Sequence, residues 1–125
     1  MPERFTKWCP TDASGETASL VSLHHDRHGL TIRVEAAGRT IEIAFGIVVA
    51  FRSTLEESCA AFWSEFHRTK PSIGSFWTVE GSAWLASFSD ADLVHYPGAK
   101  HYLIVTDDER IDVITSRAPQ ARVVV

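Results

Sequence analysis

Leu30-Thr31-Ile32-Arg33-Val34-Glu35-Ala36-Ala37-Gly38-Arg39-Thr40-Ile41-Glu42-Ile43-Ala44-Phe45 alternates apolar and polar side chains on either side of a single glycine. Neighbouring residues of a strand point to opposite faces, so Leu30, Ile32 and Val34 share one face and Thr31, Arg33 and Glu35 the other. Gly38 is free to take a positive φ in a tight reversal, after which Ile41, Ile43 and Phe45 resume the inward set. The reading is an antiparallel hairpin with one buried face. Beyond it Gly46 breaks the pattern, and Ile47-Val48-Val49-Ala50-Phe51 is apolar throughout. That run suits a central strand covered on both faces, or one whose register is shifted by a bulge at Gly46.

Upstream of the hairpin, residues 19–25 have the β character of a first strand, and Asp26-Arg27-His28-Gly29 forms the connection. Residues 1–18 are weakly patterned and read as an irregular arm pinned by Trp8. Downstream, Ser53 and Thr54 each precede a glutamate by three positions, a capping-box spacing for a helix start. Leu55, Cys59, Phe62, Trp63 and Phe66 then make one apolar stripe, so an amphipathic helix is predicted over residues 55–68, ending before Lys70-Pro71. Phe76 to Val79 read as a further strand, Ser82 as the cap of a short helical turn over 82–89, and residues 100–106 and 111–115 as a closing hairpin. After Pro119 the tail either adds an edge strand or hangs free.

The 125 residues fit one domain, 1–125. With 45% apolar and 22% charged residues, disordered and fibrous classes are excluded. The expected fold class is α+β: a mainly antiparallel, curved β-sheet of about six or seven strands packed against one amphipathic helix. No apolar run is long enough for a membrane span, and Met1-Pro2-Glu3-Arg4-Phe5 lacks the apolar core of a signal peptide, so a cytoplasmic location is expected. A formal charge of −4 without a basic block disfavours nucleic acid and anionic lipid. Cys9 and Cys59 lack CxxC spacing and are read as free thiols.

Three groups of residues carry candidate chemistry. His24-His25-Asp26-Arg27-His28 offers metal-ligating atoms, but at a strand end alternate residues diverge and no ligand spacing is matched, so a solvated turn is the preferred reading. Asp90-Ala91-Asp92 and Asp107-Asp108-Glu109 lack the spacing of a calcium loop and read as solvating turns. Cys59 and Ser87 fall on semi-inward helix faces, and no GxSxG elbow occurs, so neither is favoured as a nucleophile. Phe62 and Trp63, and likewise Phe76 and Trp77, cannot point the same way. One of each pair is displaced to a rim unless a second layer covers it.

The expectation is a non-enzymatic module acting by protein–protein interaction, of the kind an immunity protein or an adaptor represents. Its partner or ligand contacts are placed at Trp63 and Trp77, together with the acidic turns. The alternative is a small-molecule pocket, or a proton-transfer enzyme, using His95, His101 and Tyr102. A lesser alternative is a metal-dependent enzyme using the His24–His28 cluster. No cofactor, metal or catalytic residue is assigned, and a homo-oligomer stays open.

Overall fold

In the computed structural model, which describes residues 3–8, 17–69 and 75–124 without the side chains of 67–69, the alternating segments pair into two sheets. The described strands are β1 (Arg4–Lys7), β2 (Ser19–Asp26), β3 (Gly29–Ala36), β4 (Arg39–Gly46), β5 (Ala50–Leu55), β6 (Phe76–Glu80), β7 (Lys100–Val105), β8 (Glu109–Thr115) and β9 (Gln120–Val124). The helices are α1 (Ala60–Thr69) and α2 (Ala83–Ala86), with a 3-10 turn at Glu56–Ser58. One sheet has the order β1-β6-β7-β8-β5 and the other β2-β3-β4-β9, every named pairing antiparallel.

The predicted hairpin is present as β3 and β4, with Ile32 opposite Ile43 and Val34 opposite Ile41. Ala37 and Gly38 both have positive φ, 54° and 73°, which matches the turn's twist to that of the strands. The inward residues Leu30, Ile32, Val34, Ile41, Ile43 and Phe45 pack onto Phe76, Tyr102, Ile104, Ile111 and Val113 of the five-stranded sheet. The two sheets therefore close on one apolar core. Fully burying each such side chain is worth about 1.5–3 kcal/mol.

A second core lies on the far side of the five-stranded sheet. There α1 lays Trp63 and Phe66 on Trp77, Val79, Leu103 and Val105, with Phe5 of β1 at the side. The Phe66 ring meets Trp77 and Phe5 edge-on, at 5.4 and 5.2 Å between centroids. The molecule is thus three layers deep, sheet on sheet on helix. This resolves the second aromatic pair, since Phe76 faces the first core and Trp77 the second and both are fully buried. In the first pair Trp63 is buried and Phe62 is half-buried at the rim of the same core as Trp77.

Several expectations are corrected. The single curved sheet is two sheets, because the run following Gly46 leaves the first sheet and starts a strand of the second. That strand, β5, is an edge and not a centre: among the described residues it pairs with β8 alone, and Ile47 before it is exposed. Ser53 and Thr54 lie in β5, opposite Ile111 and Arg110, so neither capping box forms and the long helix starts at Ala60. Tertiary pairing with β8 overrides the local cap signal. Within the arm, Arg4–Lys7 is a strand on β6, too short for its alternation to be read in the sequence. The tail is the edge strand β9, with Ile41 opposite Val123. Cys9 lies outside the described residues, and Cys59 is free, its thiol donating to the Leu55 carbonyl at 3.2 Å. Among the described residues no helix is long and apolar enough to cross a membrane.

Candidate functional site

Two places on the outer side of the five-stranded sheet gather polar chemistry. The first follows from strand register. Asp112 of β8 stands opposite Leu103 of β7 and Arg52 of β5, with His101 on the diagonal and Arg110 two residues back on its own face. A charged residue between Ile111 and Val113 has nowhere to go but inward, since both faces of β8 are covered, and Asp112 is fully buried. It is correspondingly satisfied. His101 Nε2 lies 2.6 Å from Asp112 Oδ1; Arg110 donates to both carboxylate oxygens at 2.6 and 2.9 Å, and Arg52 to Oδ2 at 3.3 Å.

The chain of contacts continues outward. His101 Nδ1 lies 2.7 Å from the Ser82 hydroxyl, which also accepts the Leu85 N–H at 3.0 Å as the cap of α2. Trp84 of α2 meets the imidazole edge-on, 5.4 Å between ring centroids, and carries the Arg52 guanidinium over its ring, 4.3 Å from the centroid. Arg110 lies 3.6 Å from the Phe62 ring, which places a cation against an aromatic ring of α1. Burial by itself pushes the Asp112 carboxyl upward, but the hydrogen bonds from His101 and Arg110 and the nearby positive charge outweigh it and bring the group down to about 2. Asp112 is thus a carboxylate at neutral pH. Ser82 and His101 line a cavity of about 350 Å³ together with Val79, Gly81, Leu85, Ala99 and the polar residues Thr78, Glu80 and Lys100.

The second place is a broad cleft of about 810 Å³ between the turn that precedes α1 and the β7–β8 hairpin tip. Glu56, Glu57, Asp108 and Glu109 line it, with Leu55, Ala60, Trp63 and Ser64 between them. The Glu56 N–H donates to the Asp108 carbonyl at 2.7 Å, which ties the two walls together. The tip is held from the other side, where Ser19 donates to Asp107 at 2.8 Å and Thr106 to Glu109 at 3.1 Å. Asp107, Asp108 and Glu109 bring carboxylate oxygens within 4.8 Å of one another. The hydroxyl donors already occupying two of the three make them a braced turn.

The predicted site residues separate. Trp63 lies in the acidic cleft with only 7% of its surface exposed, whereas Trp77 is fully buried under α1 and offers a partner nothing while the fold is intact. His101 and Tyr102 face opposite sides of β7: Tyr102 sits in the first core, edge-on to Trp8 and Phe45, where burial pushes its hydroxyl pKa up. His95 is exposed on the loop before β7, so His95, His101 and Tyr102 do not line one pocket. His24, His25 and His28 are exposed on the β2–β3 hairpin; His24 pairs with Asp26 at 3.1 Å and His25 packs on Phe51. Asp92 accepts the Ser89 N–H at 2.8 Å and acts as a turn residue. The side chain of His67, the remaining histidine of the sequence, lies outside the described residues.

Sequence reasoning missed Ser82 as more than a cap, and missed Asp112, Arg110 and Arg52 altogether. One signal was present: Asp112 interrupts the apolar run Ile111, Val113 and Ile114. Comparison with protein-family models, characterised proteins and solved structures gave no match.

Proposed function

We propose that the protein is a binding module that captures a basic segment of another protein in the acidic cleft. One observation carries this reading. Four carboxylates surround a cleft of about 810 Å³ whose apolar floor includes Leu55, a leucine 52% exposed. Exposed leucine beside a half-open cleft is a surface that gains by being covered, and the charges around it select what covers it. A lysine- or arginine-bearing segment with an apolar side chain for Leu55 and the Trp63 indole has the complementary chemistry.

Nucleic acid is unsuited to the cleft, because its phosphates would meet carboxylates of the same sign. A second copy docking through the same patch would set four acids against four, so the partner is a different chain. A toxin-neutralising immunity protein or an adaptor works in this manner. Its acidic field speeds encounter with a basic target, and a few anchors then hold the complex.

The test pairs capture from the native host with a charge-reversed variant, Glu56→Lys/Glu57→Lys/Asp108→Lys. All three residues are exposed, so the fold should persist. The expected outcome is a basic protein retained by the wild type and lost by the variant, with association slowed at least about 10-fold and weakened by salt. Equal retention by both, or a captured protein whose binding is indifferent to salt, would remove the reading.

A further inference from the structure

The buried contacts around His101 select one tautomer of the neutral ring. The Asp112 carboxylate can only accept, so His101 Nε2, at 2.6 Å, must carry the hydrogen between them. In the neutral ring Nδ1 then holds the lone pair, and the bond of 2.7 Å to Ser82 is one in which the hydroxyl donates. The Leu85 N–H occupies one acceptor position on the same oxygen. The Ser82 proton is therefore aimed at a base that a carboxylate orients from behind. This is the electronic order of a serine–histidine–aspartate triad with the two ring nitrogens exchanged.

Position and space agree with it. Ser82 follows Gly81 in the sharp turn between β6 and α2, a strand-to-helix reversal that presents a side chain at the end of a sheet. The adjoining cavity, about 350 Å³, is lined by Val79, Leu85 and Ala99 and by the polar Thr78, Glu80 and Lys100, and its apolar lining suits a short acyl chain. Capping a four-residue helix needs the serine alone. A buried histidine and a fully buried aspartate behind it are unnecessary for that task and costly to desolvate. The cavity shares no lining residue with the acidic cleft, so this inference is independent of the binding reading.

We propose that Ser82 is a nucleophile for acyl transfer from short-chain esters, with His101 as its general base and Asp112 as the residue that positions His101. The Ser82 oxygen forms a bond to the acyl carbon while its proton passes to His101 Nδ1. The ester C–O bond breaks, and the alcohol departs with that proton. Water then attacks the acyl carbon, gives a proton to His101, and releases the carboxylic acid as the Ser82 hydroxyl is restored.

The test treats the intact protein with an alkyl fluorophosphonate, which phosphonylates activated serines, and maps the adduct by peptide mass spectrometry. The expected result is one adduct on Ser82, absent from Ser82→Ala and slowed at least about 100-fold in His101→Gln, the loss expected when a general base is removed. Ser87→Ala, at an exposed serine outside the chain of contacts, should label as the wild type does. Turnover of 4-nitrophenyl acetate should follow the same order. Folded wild-type protein left unmodified, or an adduct that maps to another residue, would overturn the proposal. Because the wild-type map decides the matter alone, it stands even if a variant fails to fold.

Discussion

At the scale of single residues, Asp112 is the most exacting position in the chain. It sits fully buried among His101, Arg110 and Arg52, and it is ionised because three donors offset the loss of water. Asp112→Ala would leave Arg110 and His101 buried without their acceptor. The expected cost is about 3–5 kcal/mol, read as a lower urea midpoint. Its folded pKa of about 2 lies below the ordinary 3.8, so the unfolded chain takes up the proton first as the solution is acidified. The stability it contributes, about 2 kcal/mol, is whole above about pH 4 and disappears as pH falls towards about 2. A thermal-denaturation series across that window should show the decline in the wild type, and Asp112→Asn should lack this component.

At the scale of elements, α1 is held on its sheet by Trp63 and Phe66, which pack on Trp77, Val79, Leu103 and Val105. Phe66→Ala removes a buried phenyl from between Trp77, Phe5 and Phe62, and a loss of about 3–5 kcal/mol is expected. Amide exchange should quicken most in α1 and least in β3 and β4, which belong to the other core. The helix also shows why the sequence was only partly legible. Of the stripe Leu55, Cys59, Phe62, Trp63 and Phe66, the last three lie on α1 and mark its inward face, because that spacing depends on the helix alone. Leu55 instead ends β5 and is exposed. The helix start was misplaced, since Ser53, Thr54 and Leu55 obey pairing with β8, a segment more than fifty residues away that no local window contains. The final hairpin and the β3–β4 hairpin were legible for the opposite reason, their partners being adjacent in the chain. The serine–histidine–aspartate line was hidden for the same reason as the β5 register. Ser82, His101 and Asp112 come from three elements, and only the order β6-β7-β8 makes them neighbours.

For the whole molecule, charge is distributed so that its two candidate sites do not compete. The acidic cleft faces outward and its attraction acts over the range of a Debye length, whereas the smaller Ser82 cavity carries one charge of each sign, Glu80 and Lys100, and so no net field of its own. Reversing Glu56, Glu57 and Asp108 should therefore alter partner association and leave phosphonylation at Ser82 unchanged, a comparison that one protein preparation can supply. The four-stranded sheet carries a further consequence, since Thr40 pairs with Val124 and Ala44 with Gln120, and β4 has no other neighbour on that side. On the ribosome, some eighty residues must be synthesised after β4 before its mate exists, and during that interval an unzipped edge is on offer to neighbouring nascent chains. A variant truncated after Pro119 would hold this vulnerable intermediate permanently, and it should sediment as aggregates under conditions where the chain that keeps β9 stays dispersed.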